Sequence, residues 1–111
     1  MNMSDLKKRL LFQKQAQVAQ AIGHPLRLAI IDFLKDGPQC VCDIAEYIGS
    51  ERSNVSRHLS LMVAAGVLEH RKEGLKVIYR LKCPCIPEFF KCMSGLLKQQ
   101  ARESKKLLAE L

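Results

Sequence analysis

Hydrophobic residues recur at helical spacing over the first part of the chain, and this pattern predicts four helices. The first is expected over residues 4–22. The second begins at Pro25, a residue that suits the first position of a helix, and His24 can cap it. Gly37 and Pro38 end this second helix. The positions expected to face the core from it are Leu26, Ile30, Phe33 and Leu34.

Two shorter helices follow, and a tight turn joins them. Residues 42–48 predict the third helix, with Asp43 in its first turn and Gly49 behind it. The stretch S-E-R-S-N is expected to cap a fourth helix that runs to about Ala65, where Gly66 stops it. Two short helices in this arrangement predict a helix-turn-helix.

The segment after the fourth helix changes to β-prone residues. In V-L-E-H-R-K-E-G-L-K-V-I-Y-R-L, two such runs flank Glu73 and Gly74, which predicts a β-hairpin. A long helix is then expected from about Pro87 to Leu108. A hairpin directly after a helix-turn-helix is a wing. The predicted fold class is therefore mainly α with a small β-hairpin wing, a winged helix-turn-helix forming a single domain over residues 1–111.

The first and last helices carry more apolar residues than one small core needs. These residues are Leu6, Leu10 and Leu11 in the first helix and Phe89, Phe90, Met93 and Leu97 in the last. A second copy of the chain can cover such surfaces around a two-fold axis, so the pattern predicts a homodimer.

The polar face of the fourth helix is suited to DNA. Val55, Leu59, Met62 and Val63 fall on one side, and the opposite side presents hydroxyl, amide and guanidinium groups. An ordinary solvated face is richer in Glu and Lys, and neither occurs between Ser53 and Ala65. Arginine can pair with guanine and asparagine with adenine, while serine lets the backbone approach phosphates. The candidate DNA-binding residues here are Ser53, Asn54, Ser56, Arg57, His58 and Ser60, with His58 either a groove residue or a fold residue.

The hairpin and the overall charge support the same partner. Basic residues that suit phosphate contacts or minor-groove entry are His70, Arg71, Lys72, Lys76 and Arg80. The chain has 18 Lys and Arg against 11 Asp and Glu, a net charge of +7. This excess favours double-stranded DNA as the partner, with anionic lipid second. No apolar run is long enough to span a membrane and the N-terminus lacks a signal region, so we expect a cytoplasmic protein with no membrane partner.

Five cysteines are the remaining candidates for chemistry: Cys40, Cys42, Cys83, Cys85 and Cys92. In a reducing compartment we do not expect structural disulfides, which leaves metal binding, redox sensing or burial. No catalytic triad, phosphate loop or carboxylate pair is evident, so the chain is predicted not to be an enzyme. A metallochaperone or thiol oxidoreductase is a further hypothesis, but the accessible Cys-x-x-Cys that is common in such proteins does not occur.

Four stretches together resemble a known family: A-I-G-H-P-L-R-L-A-I-I-D-F-L, C-V-C-D-I-A-E-Y-I-G, S-N-V-S-R-H-L-S-L-M-V-A-A-G-V-L-E-H-R-K-E-G and V-I-Y-R-L. Spanning residues 21–81, they are similar to the ArsR/SmtB family of dimeric winged-helix repressors that sense metals and metalloids. The resemblance implies an apo dimer that binds an operator and an inducer that releases it.

The resemblance also implies a role for the first thiol pair. Cys40 and Cys42 match a Cys-Val-Cys-Asp stretch that binds thiophilic ions in several members. A helix N-terminus favours thiolates, and thiolates select soft ions: arsenite first, then antimonite, cadmium, lead or zinc. Residues 1–39 contain no cysteine, which argues against the N-terminal-arm ligands of cadmium and lead sensors. Residues 86–111 contain no His or Asp, which argues against the zinc and cobalt site on the last helix.

The third ligand therefore stays open. If the segment before the third helix pairs with the second wing strand, Cys40 would lie near the strand end that leads to Cys83 and Cys85. Alternatively Cys83, Cys85 and Cys92 form their own trithiol site, which needs a folded-back loop or a second subunit. A four-thiolate zinc site from two Cys-x-Cys pairs, a redox or persulfide switch, and simple burial remain alternatives.

Overall fold

The computed structural model describes residues 3–111 of the chain, with side chains from Ser4 onward. The elements, in order, are α1 Met3–Ile22, α2 Pro25–Leu34, β1 Gln39–Cys40, α3 Val41–Ile48, α4 Arg52–Ala64, β2 Leu68–Glu73, β3 Lys76–Leu81 and α5 Ile86–Ala109. This order confirms the predicted fold class, mainly α with a small hairpin wing. Strand β1 was not predicted as an element of its own, because two residues are too few to show a period.

Local signals place most of the helix ends. The Nδ1 atom of His24 accepts a hydrogen bond from the backbone N–H of Leu26 at 3.1 Å, which confirms His24 as the cap of α2. Gly49 adopts a left-handed conformation, φ 74°, and its N–H donates to the carbonyl of Ala45, which ends α3. The expected side-chain cap of the fourth helix is wrong. Glu51 is the N-cap of α4, and its side chain makes no capping hydrogen bond.

The wing belongs to a three-stranded antiparallel sheet with the order β1-β3-β2. Strands β2 and β3 form the predicted hairpin, in which Glu73 pairs with Lys76 across a two-residue turn. Gly74 in that turn has φ 61°, a conformation that suits glycine. Gln39 of β1 pairs with Tyr79, which confirms that the segment before the third helix joins the second wing strand.

The core lies between α2, α3, α4 and the base of the wing. Its fully buried side chains are Ile30, Ile31, Ile44, Val55, Leu59, Met62, Val67 and Leu68. Ile30 and Leu34 face the core as predicted, but Leu26 and Phe33 are only partly buried, and Ile31 was missed. The reason is that α2 packs against α1, α3, α4 and β3, so its buried face is wider than one stripe.

The first and last helices project from this core. Among the α1 residues from Ser4 onward, Ala21 and Ile22 alone are buried, and no residue of α5 is. The radius of gyration is 17.9 Å, against about 13 Å for a compact chain of this length. Apolar side chains on both helices are consequently exposed. Among the described residues, no helix combines the length and apolar character that a membrane crossing requires.

Candidate DNA-binding surface and thiol positions

Helix α4 is called the reading helix below, because it carries the candidate DNA-binding residues. It presents the predicted polar face to solvent. Val55, Leu59 and Met62 are buried in the core, whereas Ser53, Arg57 and Ser60 are exposed and Asn54 and Ser56 are half-buried. The buried side fixes the rotation of the helix, because turning it would expose the apolar residues. A convex helix with small polar groups and one guanidinium on its outer face can enter a major groove.

Two of the candidate reading residues are held in a hydrogen-bonded chain. The Nδ2 atom of Asn54 donates to Ser50 Oγ at 2.9 Å, and Nη2 of Arg57 donates to Asn54 Oδ1 at 3.2 Å. Ser50 lies in the turn before α4, so the chain runs from the helix start onto its outer face. Ser50 precedes the N-cap residue Glu51, and its hydroxyl accepts the hydrogen bond from Asn54.

His58 is turned sideways, toward α2. Nε of Arg27 donates to His58 Nδ1 at 3.1 Å, and the rings of His24 and His58 are 4.6 Å apart. Burial lowers the pKa of His58, and the nearby His24, Arg27 and Arg57 lower it further. Of the two roles left open for His58, this geometry favours the fold residue, and its contact with DNA stays a prediction.

Arg27 is a residue that the sequence pattern did not reveal as part of this surface. It lies in the first turn of α2, where nothing local distinguishes it from any exposed arginine. Besides its bond to His58, its Nη1 donates to the carbonyl of Gln20 at 2.9 Å. Arg27 lies beside the reading helix because α2 packs on α4. The spacing of residues along the chain does not reveal this packing.

The wing carries the predicted basic residues, but two of them are paired with carboxylates. Arg71 forms an ion pair with Glu73 at 2.7 Å, and Arg80 pairs with Glu69. In each exposed pair the two opposite charges partly neutralise one another, and the pair contributes little to the free energy of unfolding. Lys72 and Lys76 are exposed near the tip, and no ion pair of either is found among the described residues. The charge available for phosphates is therefore concentrated at the tip.

The first thiol pair lies at the start of α3, as predicted. Cys40 is the N-cap of α3 and ends strand β1, and it is 5% exposed. Cys42 is half-buried in the first turn of α3. Arg52, the first residue of α4, donates a hydrogen bond from Nη2 to the sulfur of Cys42. One thiol of the pair thus contacts the reading helix directly.

The second thiol group contains one pair of bonded cysteines. Cys83 and Cys85 form a disulfide across a Cα–Cα distance of 5.5 Å, between the end of β3 and the N-cap of α5. The expectation of no disulfides is wrong for this pair, because Cys83 and Cys85 are separated by Pro84 alone and the turn brings their sulfurs together without any tertiary contact. In this form neither sulfur is a thiolate ligand. Cys92 is free and exposed on α5.

The strand register separates the two groups within one chain. Cys40 pairs with Ile78 in the middle of β3, not with the end of the strand. Strand β3 ends at Leu81, three residues beyond Ile78, and Cys83 follows two residues after that end. Cys40 therefore does not lie opposite the strand end that leads to Cys83 and Cys85, as expected from the sequence, but three residues before it. Within the part of the chain that the structure describes, no three His, Cys, Asp or Glu residues converge as a metal site.

Known proteins resemble this chain over the same elements. The family described as "Bacterial regulatory protein, arsR family" matches residues 24–70, from the cap of α2 into β2. An uncharacterised HTH-type transcriptional regulator of Methanocaldococcus jannaschii is 31% identical over 86 residues, which cover 77% of this chain and 97% of that protein. The arsenical resistance operon repressor of Escherichia coli is 38% identical over 72 residues, covering 64% of this chain and 61% of the repressor.

Solved structures show the same architecture. One is the homodimeric winged helix-turn-helix DNA-binding domain of a possible ArsR-family transcriptional regulator from Mycobacterium bovis. It is 26% identical to this chain, with a TM-score of 0.75, and the match covers 87% of this chain and 90% of that domain.

Proposed function

The chain belongs to the arsR family of bacterial regulatory proteins, and from that premise we propose a homodimeric repressor that releases its operator when a thiophilic ion binds its cysteines. The family consists of DNA-binding transcriptional regulators, so the expectation that the protein is not an enzyme is confirmed. We propose arsenite as the inducer, ahead of antimonite, cadmium, lead and zinc. The protein would act in the cytoplasm, where its operator lies, with residues 1–111 as one domain.

The observation that carries this proposal is the contact between Arg52 and Cys42. It joins a thiol of the inducer site to the first residue of the reading helix. An ion that bonds to the Cys42 sulfur competes with Arg52 for the same lone pairs. Losing this contact frees the start of α4, and the helix pair can then tilt away from its DNA-competent position. Ion binding and operator binding thereby favour different conformations.

The ligand count supports a soft, low-coordinate ion. Cys40 and Cys42 supply two sulfurs, and a third ligand has to come from Cys92, from Cys83 or Cys85 once their disulfide is reduced, or from a second copy. Three sulfurs suit arsenite or antimonite, whereas structural zinc takes four ligands. The E. coli relative is a repressor of an arsenical resistance operon, which supports the same inducer class.

A second copy of the chain is the proposed cover for α1 and α5. Their exposed large apolar residues are Leu6, Leu10, Leu11, Phe12 and Val18 on α1, and Phe89, Leu96, Leu97, Leu107 and Leu108 on α5. The M. bovis domain, which shares the fold, is homodimeric. In a two-fold dimer the two α4 helices would meet half-sites about one DNA turn apart.

The test is an operator titration with and without arsenite. The operator is a duplex that the parent protein selects from a random pool. We expect arsenite to weaken binding of the parent about 5- to 150-fold, the usual range of coupling. The variant with Cys40→Ser and Cys42→Ser should bind the operator as the parent does and should not be released. A serine at position 40 can cap α3, so this change is compatible with the fold.

Cys92→Ser is the comparison variant, because it removes one exposed thiol outside the first pair and tests that thiol as the third ligand. If the double variant is released normally while Cys92→Ser or Cys85→Ser is not, the inducer site lies at the C-terminal cysteines. Release of all these variants by arsenite, with the parent's midpoint, would refute the thiol-sensor proposal.

A redox or persulfide sensor is a second candidate, and the disulfide between Cys83 and Cys85 favours it. This bond lies in the short loop between β3 and α5, so its reduction by two electrons and two protons would alter the loop that connects the DNA-binding elements to the proposed dimer helix. Under this alternative a dithiol reductant changes the operator affinity of the parent but not of Cys83→Ser, and arsenite leaves both unchanged.

A further inference from the structure

An open cleft lies beside the reading helix, between the N-terminal end of α2 and the outer side of α4. Its volume is about 270 Å³, and its lining residues are Arg27, Asn54, Arg57, His58 and Leu61. The lining contains two guanidinium groups and no carboxylate. A concave site with this composition attracts an anion, and guanidinium groups match the oxygens of a phosphate.

Arg27 is held in place at this cleft by two neutral acceptors. Its Nε bonds to the imidazole of His58, and its Nη1 bonds to the backbone carbonyl of Gln20. Neither partner offsets the positive charge, and a guanidinium has five N–H donors, of which these bonds use two. Because His58 has a lowered pKa, its ring stays uncharged near neutral pH and remains an acceptor for Arg27. The guanidinium of Arg27 is thus held in a fixed orientation, and its positive charge is not neutralised by these two partners.

The position of the cleft on α4 indicates what fills it. Ser53, Arg57 and Ser60 mark the face that points outward. At 100° per residue, Asn54 and Leu61 lie on the shoulder of that face, toward α2. A helix about 10–12 Å across fills a major groove about 12 Å wide. Its shoulders then face the sugar–phosphate walls of the groove, whereas its outward face meets the bases.

We propose that this cleft binds one phosphate of the operator backbone in each half-site, with Arg27 as its principal ligand and Arg57 at its rim. The inference rests on the proposed function and adds α2 to the DNA-binding surface, which so far comprises α4 and the wing. Such a contact fixes the position of α4 in the groove and is independent of base sequence.

The test compares Arg27→Gln with Arg102→Gln, an exposed arginine on α5 whose substitution changes the net charge equally. Binding to the selected operator and to a random duplex is measured between about 50 and 200 mM salt. Loss of one phosphate contact in each half-site should reduce the slope of log K against log salt by about 1.8, so the penalty at low salt shrinks about 12-fold over this range. Both duplexes should be affected alike, and Arg102→Gln should keep the parent's slope.

Several outcomes would overturn the inference while leaving the repressor proposal intact. One is an Arg27→Gln variant that folds and keeps the parent's salt slope, which would make Arg27 a purely structural link between α1, α2 and α4. If this variant does not fold, Arg27→Lys is used. Lysine keeps the charge but not the fixed guanidinium, so parent-like affinity would contradict the proposed geometry, and weaker binding to both duplexes would support it.

The phosphate could also be a free anion, and a further titration separates the two sources. Inorganic phosphate is added to the parent–operator complex at constant ionic strength. No displacement beyond that caused by chloride is expected, because the cleft is open and supplies few contacts to a lone anion. Specific displacement by phosphate would overturn the backbone assignment. Failure of the parent to prefer its selected operator over random DNA would instead count against the proposed function.

Discussion

Replacing Leu97 with alanine should weaken dimerisation substantially. Leu97 lies on α5, a helix without buried residues, and 63% of it is exposed. Full burial of a leucine contributes about 1.5–3 kcal/mol, so covering the exposed part contributes about 1–2 kcal/mol per copy. Alanine removes roughly three quarters of that apolar surface, and the two-fold axis doubles the effect to about 1.5–3 kcal/mol. The dimer dissociation constant should therefore rise about 10- to 150-fold.

Sedimentation equilibrium over a range of concentrations measures this constant. Leu75→Ala is the matched control, since Leu75 at the wing tip is fully exposed and lies outside the proposed interface. Alanine is the best helix former, so Leu97→Ala does not act by unfolding α5, and far-ultraviolet circular dichroism checks that point. Equal dissociation constants for the parent and both variants would show that α5 does not form the interface.

Three further predictions concern single residues. Arg57→Ala should cost about 1–3 kcal/mol in operator binding and relax sequence preference, and an equal loss on random duplexes would mean that the reading face is misplaced. A small thiol reagent should modify Cys42 before Cys40, because Cys40 is 5% exposed; peptide mapping that finds the reverse order would contradict the placement of the pair. The pKa of His58 is lowered from its ordinary value in the folded protein. Below about pH 6.5 the unfolded state therefore binds more protons than the folded state, and the free energy of unfolding decreases as the pH decreases. His58→Gln should reduce this fall in urea unfolding at pH 7.5 and 5, and an unchanged pH dependence would exclude His58 as its source.

The sequence by itself determined the features that depend on neighbouring residues. The cap by His24, the end of α3 at Gly49 and the hairpin turn at Gly74 each depend on a few consecutive positions. The buried and exposed sides of α4 follow from its helical period, with Val55 inward and Arg57 outward. These features are local because backbone conformation and helix rotation respond to side chains within about one or two turns.

Tertiary structure decided which residues meet across elements. The pairing of Cys40 with Ile78 fixes a register that separates the two thiol groups, and no periodicity in either strand specifies that register. The contacts of Arg27 with His58 and of Arg52 with the α3 thiol depend on how helices stack, since each joins elements whose relative placement follows from burying the shared core. The residue types alone predicted a DNA-binding chain that carries thiols. Packing decided that Arg27 contacts His58 and that Arg52 contacts Cys42.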